Sequence, residues 1–419
     1  MNKERLKEIM LDQNEAFNNK HHLIEREIDI NKYIRTGQVV IISGIRRCGK
    51  SSLLYLIKEQ MKLQEGDYCY FNFDDERINT EITLLEAIYN LHIEMYGKEP
   101  ILFFDEIQNI DNWEKFINRI YEKGVKIFIT GSNAKLLSSE ISTSLTGRNK
   151  IIELFPFSFK EYLRYKGNQI NTNQTTSKQR AIIQKEFNQY FANGGFPLVI
   201  KENDLELINS YFQDILYRDI ISRYRLSQVK EIKEIALYFA TNIGKLFSYS
   251  TLQAFTGVKS LSSIKDYLDY YEQSYLFFYL KKFDYSIKKQ VMNPKKVYTI
   301  DPAFSHRMGY NFSENKGRVL ENIIYLELLR RGKEVYYYAG KNECDFIIKD
   351  GLKIVEAIQV CYLLDQSNMV REIRGLEEAM QTYEIERGLI ITYTNEPIVL
   401  PPTSKIEIVE SWRWLLANG

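Results

Sequence analysis

The chain has 419 residues, of which 44% are hydrophobic and 26% are charged, and its net charge is +1 at pH 7. This length allows two to four domains, and the composition predicts a soluble globular protein. The balanced charge gives no global field for nucleic acid, so any surface for DNA has to be local. No apolar run is long enough to span a bilayer, so no membrane association is expected.

Cysteine usage and the first residues predict a cytoplasmic location. The four cysteines are scattered without paired metal spacing, as expected for free thiols in a reducing compartment. They are Cys48, Cys69, Cys344 and Cys361. The segment Met1–Phe17 is charged and lacks the apolar stretch of a signal peptide.

In chain order, the sequence divides into four predicted parts. In residues 1–155, short apolar runs alternate with helical patterns, which predicts parallel βαβ units in an α/β fold. The runs are Val39–Ser43, Tyr68–Phe73, Ile101–Asp105, Lys126–Thr130 and Ile151–Leu154. Residues 156–229 are mostly helical and are interrupted by a turn at Asn193–Pro197, as expected for a helical lid. Residues 230–300 combine helices with a β-ribbon, and residues 301–419 combine helices and strands.

The first motif with a chemical consequence follows the first strand. Residues 44–51 match G-x-x-x-x-G-K-[ST] between the strand Val39–Ser43 and a predicted helix. The backbone N–H groups of such a loop, with the positive end of the helix, bind phosphate oxygens. Lys50 is expected to reach the β- and γ-phosphates of ATP, and the Ser51 hydroxyl to ligate Mg²⁺. The predicted nucleotide-binding set is Gly44, Ile45, Arg46, Arg47, Cys48, Gly49, Lys50, Ser51 and Ser52.

An alternative interpretation of this motif is a glycine turn before an ordinary helix. Four specified positions arise by chance in about one or two per hundred chains of this length, given the usual glycine frequency. The flanking strand and helix make chance less probable still. The motif therefore favours a P-loop.

Two carboxylates end the strand Ile101–Asp105, about sixty residues beyond the P-loop. Asp105 is expected to hold Mg²⁺ directly or through water. Glu106 is expected to polarise the water that attacks the γ-phosphate. An acidic turn between a strand and a helix is the simpler alternative, and the preceding P-loop makes it the weaker one.

Two further segments of the first part supply candidate catalytic residues. Ser132 or Asn133, after another strand, can contact the γ-phosphate or the attacking water, and Asn133 can equally cap the helix that follows. Arg148, in Thr146-Gly147-Arg148, can act as an arginine finger toward the γ-phosphate of a neighbouring subunit, which would require a homo-oligomer. An ordinary surface arginine remains an equal alternative.

Together these motifs resemble prokaryotic AAA-class ATPases that carry an uncharacterised nuclease-like C-terminal domain. The resemblance extends from Ile24 to about Thr394 and includes Gly194-Gly-Phe-Pro197 and Tyr217-Arg-Asp-Ile-Ile. It implies ATP binding and hydrolysis, an AAA core, a winged-helix segment and a restriction-endonuclease-like fold in residues 301–419. It also implies the family roles for Lys50, Ser51, Asp105, Glu106, Asn133 and Arg148. It does not imply a substrate.

Residues 230–300 contain a local excess of positive charge, with eleven lysines against six acidic residues. The stretch from Phe247 through Gly257 to Tyr271 has helix-turn-helix spacing, with Lys259 and Lys265 early on the second helix. Residues 276–291 would then form the wing. DNA binding and a protein contact through a solvated basic face remain equally open.

The C-terminal part matches the nuclease pattern incompletely. Glu321, on a predicted helix, and Asp345, at the start of a strand, stand where two acids are expected. Gln359 and Cys361 replace the second strand acid and the lysine. An amide is a poorer Mg²⁺ ligand than a carboxylate, and a thiol cannot supply an ammonium. We therefore expect no DNA cleavage by this domain.

Two function hypotheses follow from the sequence. In the first, the protein couples ATP hydrolysis to a conformational change at DNA. In the second, it is an ATP-gated interaction switch of a defence or regulatory system and has no nucleic-acid substrate.

Overall fold

A computed structural model describes residues 2–20, 22–132, 145, 147–168, 175–309, 316–395 and 405–417. The chain divides into two compact units. The first comprises Met1–Phe155 with Gln273–Tyr275, and the second comprises Pro156–Glu272 with Leu276–Gly419. No helix in the described ranges is long and apolar enough to cross a membrane.

The first unit is built on a parallel sheet with the order β2-β3-β4-β1-β5. Its strands are β1 (Val39–Ser43), β2 (Tyr68–Asn72), β3 (Ile101–Asp105), β4 (Ile127–Gly131) and β5 (Asn149–Glu153). Every residue of β1 is buried, because helices cover both faces of a parallel sheet. The predicted α/β core with parallel strands is confirmed.

Helices lie beside the strands of this sheet, and all of them except the short helix before β1 bury apolar residues. They are α2 (Ile30–Arg35), α3 (Lys50–Gln60), α4 (Thr83–Tyr96) and α5 (Trp113–Glu122), with a short 3₁₀ turn at Ile107–Asn109. A further helix, α1 (Lys3–Asn18), precedes the sheet and contacts its edge strand β2. Leu6, Ile9, Met10 and Phe17 form its buried side.

The second unit begins with helices. They are α6 (Phe159–Tyr165), α7 (Ser177–Asn193), α8 (Pro197–Glu202), α9 (Glu206–Asp214) and α10 (Val229–Thr241), and α9 continues into a π-helical stretch at Ile215–Ser222. The predicted turn at Asn193–Pro197 separates α7 from α8. Pro197 is the first residue of α8, where its missing N–H group costs no hydrogen bond.

Between residues 246 and 299, three helices alternate with the strands of a small antiparallel sheet. The elements are β6 (Leu246–Phe247), α11 (Tyr249–Thr256), α12 (Leu261–Gln273), β7 (Phe277–Lys281), α13 (Ile287–Met292) and β8 (Lys295–Thr299). The strand order is β6-β8-β7, so β8 is the central strand. Gly257 ends α11 with a φ of 71°, which permits the tight turn toward α12.

The C-terminal part is a mixed sheet with the order β13-β12-β11-β10-β9. Its strands are β9 (Glu334–Ala339), β10 (Glu343–Asp350), β11 (Lys353–Leu364), β12 (Gly388–Asn395) and β13 (Ile406–Glu410). The helices around it are α14 (Pro302–Met308), α15 (Lys316–Arg330), α16 (Met369–Tyr383) and α17 (Ser411–Leu416). Strands β9–β11 are antiparallel, whereas β11–β13 are parallel.

Candidate active site

The loop between β1 and α3 has the backbone of a phosphate cradle. Arg47 and Gly49 have φ values of 70° and 103°, in the left-handed region that tight loops use. A Cβ atom on Gly44 would lie 2.1 Å from the carbonyl oxygen of Leu154, so only glycine fits there. Since α3 begins at Lys50, its first N–H groups have no partner within the helix and are available to an anion.

The ammonium of Lys50 lies inside this loop. Its Nζ donates hydrogen bonds to the carbonyl oxygens of Gly44 at 3.1 Å and Ile45 at 3.3 Å. It also forms an ion pair with Glu106 at 3.2 Å, and only 4% of the Lys50 side chain is exposed. Burial alone would lower the pKa of Lys50, but the neighbouring acids, Glu106 first, raise it above its ordinary value. A charged lysine is therefore positioned where phosphates would bind.

Asp105 is fixed at the end of β3 by side chains from three other elements. Tyr70 on β2 donates its hydroxyl to Oδ2 at 3.0 Å, and Thr130 on β4 donates to Oδ1. The Ser51 hydroxyl at the start of α3 also bonds to this carboxylate. Burial, and next the charge of Glu106, raise the pKa of Asp105. Ser51 and Asp105, the two predicted Mg²⁺ ligands, are thus adjacent.

Glu106 occupies a constrained backbone position. Its φ is 55°, and its N–H group donates to Oγ1 of Thr130 at 2.9 Å. The amide of Gln108 donates to its Oε2 at 2.6 Å. Burial would raise the pKa of Glu106, but Lys50 and the Gln108 hydrogen bond together lower it to about 2. Glu106 is therefore an ionised carboxylate directed at Lys50.

Gln108 and Thr130 belong to the site but were not predicted from the sequence. Gln108 lies between Glu106 and Ser132, and its amide nitrogen is 3.4 Å from the Ser132 hydroxyl. Its Oε1 atom is buried and has no hydrogen-bond partner among the described residues. The contact of Thr130 with Asp105 could have been predicted, since Thr130 lies near the end of β4, the strand next to β3.

Two basic residues from the segment before β1 also contact the P-loop. Lys20 donates to the carbonyl oxygen of Ser51 at 2.7 Å, and burial, opposed by the charge of Asp105, lowers its pKa to about 8. Arg26 donates to the carbonyl oxygens of Cys48 at 3.2 Å and Phe155 at 2.7 Å. No motif in the sequence identified them, because they come from a segment without regular structure.

Arg148 is not brought to the P-loop. It precedes β5, and the parallel pairing of Val39 with Asn149 places it at the N-terminal edge of the sheet, whereas Lys50 follows the C-terminal edge. Its guanidinium donates to Asn118 at 2.5 Å and Glu122 at 2.9 Å, and 41% of its side chain is exposed. Asn133, the other predicted catalytic residue, lies outside the described residues.

The predicted basic surface of residues 230–300 is smaller than the lysine count indicated. Lys295 and Lys296 are buried in β8 rather than exposed on a ribbon. Lys295 Nζ donates to the carbonyl oxygen of Val291 at 3.0 Å and lies over the ring of Tyr249. All five residues of β8 are buried, so both of its faces are covered, and β6 and β7 pair with its two edges. These two lysines are thus not available to DNA.

The predicted C-terminal candidates lie in one region. Glu321 is on α15, Asp345 is on β10 and Gln359 is on β11, and the Gln359 side chain accepts a hydrogen bond from the Asp345 N–H group at 3.2 Å. Glu356 does not substitute for Gln359, since the two are three residues apart on β11, where side chains alternate between the faces of the sheet. No group of histidine, cysteine, aspartate and glutamate suited to a metal is found in the described ranges.

Comparison with known proteins places this site in a family. Residues 36–163 match the model of an AAA domain, and residues 184–315 match a domain of unknown function (DUF8612). The chain is 29% identical over 364 residues to an uncharacterized protein of Haemophilus influenzae, covering 82% of this chain and 88% of that protein. A solved structure, the Walker-type ATPase PABY2304 of Pyrococcus abyssi, matches with a TM-score of 0.41 and 16% identity over 68% of this chain and 96% of that chain.

A longer match covers nearly the whole chain. The uncharacterized protein MJ1544 of Methanocaldococcus jannaschii is 37% identical over 430 residues, which is 98% of this chain and 94% of that protein. With its AAA domain at residues 36–163, the chain belongs to the same protein family as MJ1544.

Proposed function

We propose that the protein binds ATP with Mg²⁺ and hydrolyses it at the site formed by the P-loop and the end of β3. The observation that carries the proposal is the Glu106–Lys50 ion pair at 3.2 Å, set between a phosphate cradle and the adjacent Asp105. The AAA domain at residues 36–163 supports nucleotide binding. The hydrolytic step is our inference from the side chains.

The residues present fit a magnesium ion. Ser51 and Asp105 are hydroxyl and carboxylate oxygen donors at the end of the P-loop, the donor types that Mg²⁺ prefers. When bound, the ion would neutralise charge on the phosphates. The chain itself supplies the remaining functions, which are the cradle of N–H groups, the ammonium of Lys50 and the carboxylate of Glu106.

In this proposal, phosphate binding changes the partner of Glu106. The ammonium of Lys50 turns from Glu106 to the phosphates, because they carry more negative charge than one carboxylate. Glu106 then loses the counter-ion that keeps its pKa at about 2, while Gln108 still orients it. A carboxylate freed in this way is a better hydrogen-bond acceptor for a water molecule near the γ-phosphate.

The test compares two substitutions at this pair. Lys50→Ala should weaken ATP binding by about 10- to 100-fold, as expected for loss of a hydrogen bond between charged groups. Glu106→Gln should retain ATP affinity and lower the rate of phosphate release by about 10²- to 10⁴-fold. Calorimetry and a phosphate-release assay measure the two effects, with the exposed Asp111→Asn as the control. Wild-type turnover in Glu106→Gln would assign the catalytic role to another residue.

A second candidate function is action at DNA, with residues 230–300 as the contact. It is supported by the helix pair α11–α12 beside a three-stranded sheet and by exposed lysines. Those lysines are Lys259, Lys265, Lys281, Lys288 and Lys289. Under the alternative, an ATP-gated interaction switch, the same surface contacts a protein.

Salt dependence separates the two candidates, since release of phosphate counter-ions makes DNA affinity fall steeply with salt. The informative experiment measures the ATPase rate with and without duplex DNA at two salt concentrations. Stimulation by DNA that disappears at the higher salt, and is reduced in Lys259→Ala with Lys265→Ala, supports the DNA candidate. A rate that does not respond to DNA at either salt supports the switch.

A further inference from the structure

A buried lysine in the second unit is surrounded by three carboxylates. Only 3% of the Lys296 side chain is exposed. Its Nζ lies 2.9 Å from Oε1 of Glu321, 2.9 Å from Oδ1 of Asp345 and 2.6 Å from Oε1 of Glu343. Since an ammonium has three hydrogens to donate, each carboxylate can accept one of them.

Glu321 and Asp345 come from different elements, and each is also held by a group other than the lysine. Tyr298 donates its hydroxyl to Glu321 at 2.6 Å. The N–H group of Val360 on β11 donates to Oδ2 of Asp345 at 3.0 Å. Glu321 lies on α15 and Asp345 on β10, so the acids would keep their places if the lysine side chain were shortened.

We propose that these three acids, hereafter the carboxylate cage, form a cation site whose resident cation is Lys296. Oxygen atoms of two fixed carboxylates converge on one point, and carboxylate oxygens are the ligand type that hard divalent ions such as Mg²⁺ and Mn²⁺ take. The ammonium occupies that point. A divalent ion could not enter beside it, because two cations would then lie within bonding distance of the same oxygen atoms.

The charges explain why the lysine is stable there. Burial would lower the pKa of Lys296, but Asp345, Glu321 and Glu343 raise it well above its ordinary value, so the ammonium stays protonated. A buried charge of this kind is tolerated only when it is paired. Because Lys296 lies on β8, the cage also connects the three-stranded sheet to α15 and β10.

A competing interpretation makes Lys296 a catalytic lysine that stands beside a metal. In that case its ammonium should face a metal-bound water and leave the inner oxygen atoms of both acids free. Instead, Lys296 contacts Glu321 and Asp345 at equal distances of 2.9 Å. The ammonium of Lys296 therefore fills the carboxylate cage itself.

Removing the lysine should open the cage to metal. In nucleotide-free protein, Lys296→Ala should bind one Mn²⁺ more than the wild type, and Lys296→Ala with Asp345→Asn should lose that binding. Calorimetry and the electron paramagnetic resonance of free Mn²⁺ measure the stoichiometry. Mn²⁺ should also raise the unfolding midpoint of Lys296→Ala, because a ligand that binds only the folded state stabilises it. The wild-type midpoint should respond to neither Mn²⁺ nor EDTA.

Two results would overturn the proposal. One is Mn²⁺ binding by the wild type that Asp345→Asn abolishes, since the cage would then take metal beside the lysine. The other is a folded Lys296→Ala variant with no additional Mn²⁺ site. If Lys296→Ala does not fold alone, refolding is repeated with Mn²⁺. Recovery of Lys296→Ala without recovery of the double variant supports the proposal, and equal failure of both counts against it. Because no nucleotide is present, the result is independent of ATP hydrolysis.

Discussion

At the scale of single residues, buried acids differ in the pH at which they lose their proton. Glu106 is paired with Lys50 and has a pKa of about 2. Glu321 shares Lys296 with two other acids, and its pKa is raised to about 7 by burial and by the charge of Asp345. Asp301 in the same unit is also raised to about 7 by burial. Glu106 is therefore held ionised, whereas Glu321 and Asp301 gain protons near neutral pH.

The titration of Glu321 predicts how stability depends on pH. Its pKa is higher in the folded state than the ordinary 4.5, so the folded state binds more protons between about pH 4.5 and 7. The free energy of unfolding of the second unit should therefore fall as pH rises from about 5 to about 8. The groups that face Glu321 are Lys296, Asp345 and Tyr298.

Glu321→Gln should reduce this slope, because an amide does not titrate. Asp301 acts in the same direction, so part of the slope should remain and should fall further when Asp301→Asn is added. Urea unfolding at a series of pH values measures the slope for each variant. An identical slope in the wild type and in Glu321→Gln would show that this carboxyl keeps an ordinary pKa.

At the scale of elements, the turn Gly194-Gly195-Phe196-Pro197 is explained by a buried acid. Oδ2 of Asp301 accepts the N–H of Gly195 at 2.7 Å. Gly194 has φ 75° and ψ −164°, a conformation that is almost confined to glycine. A Cβ atom there would lie 1.7 Å from Oδ1 of Asp301. The motif is thus needed for the packing of α7 and α8 against the start of α14.

Gly194→Ala should lower the free energy of unfolding by about 2–4 kcal/mol, from backbone strain together with the clash. The matched control is Gly257→Ala. Gly257 also has positive φ, at 71°, but open space surrounds its Cβ position. Strain alone predicts a loss of about 1–2 kcal/mol for the control. Equal losses in the two variants would mean that the contact with Asp301 has no energetic role.

Helix α1 covers the edge strand β2 of the first sheet, and the sequence analysis did not predict this contact. The side-chain amide of Gln13 accepts the N–H of Asn72 at 2.8 Å and donates to its carbonyl oxygen at 3.1 Å. It thereby pairs backbone groups that an edge strand such as β2 otherwise leaves free. A glutamine on an amphipathic helix gives no local signal for this, because the partner is more than fifty residues away.

At the scale of the whole molecule, the apolar pattern of the sequence predicted those elements that depend on neighbouring residues in the chain. The parallel strands were identifiable because each is a short apolar run between helices. The order of the strands was not, and neither was the burial of Lys295 and Lys296. In the sequence, two adjacent lysines are typical of a solvated ribbon. In the fold, β8 lies between β6 and β7, and three acids from later in the chain contact Lys296.

The candidate active site likewise contains residues that the sequence predicted and residues that it did not. Lys50, Ser51, Asp105 and Glu106 were predicted because a P-loop and an acidic strand end are each contiguous in sequence. The residues that support them, among them Lys20, Arg26 and Gln108, act through contacts with backbone carbonyls or with a single carboxylate. Such contacts do not require a fixed spacing between residue types, so no sequence motif reveals them.

The last prediction concerns Arg148 and requires more than one copy of the chain. Parallel pairing of β5 with β1 separates Arg148 from the P-loop by the length of a strand, about 13 Å at 3.3 Å per residue. Arg148 therefore cannot reach a phosphate bound in its own P-loop, and a catalytic role is confined to a neighbouring subunit. Arg148→Ala should then lower turnover with little change in ATP affinity, because the guanidinium acts on charge in the transition state.

Mixing experiments test the same role. In a mixture of Arg148→Ala and Glu106→Gln chains, some interfaces combine an intact Glu106 with an intact Arg148, so activity should exceed the sum of the two separate variants. Wild-type activity per chain should also rise with protein concentration. Asn118→Ala is the control, since it removes a partner that holds Arg148 at 2.5 Å while leaving the guanidinium in place. A wild-type protein that is monomeric by light scattering, together with mixtures that show no gain, would leave Arg148 as a surface residue whose contacts with Asn118 and Glu122 serve only its own unit.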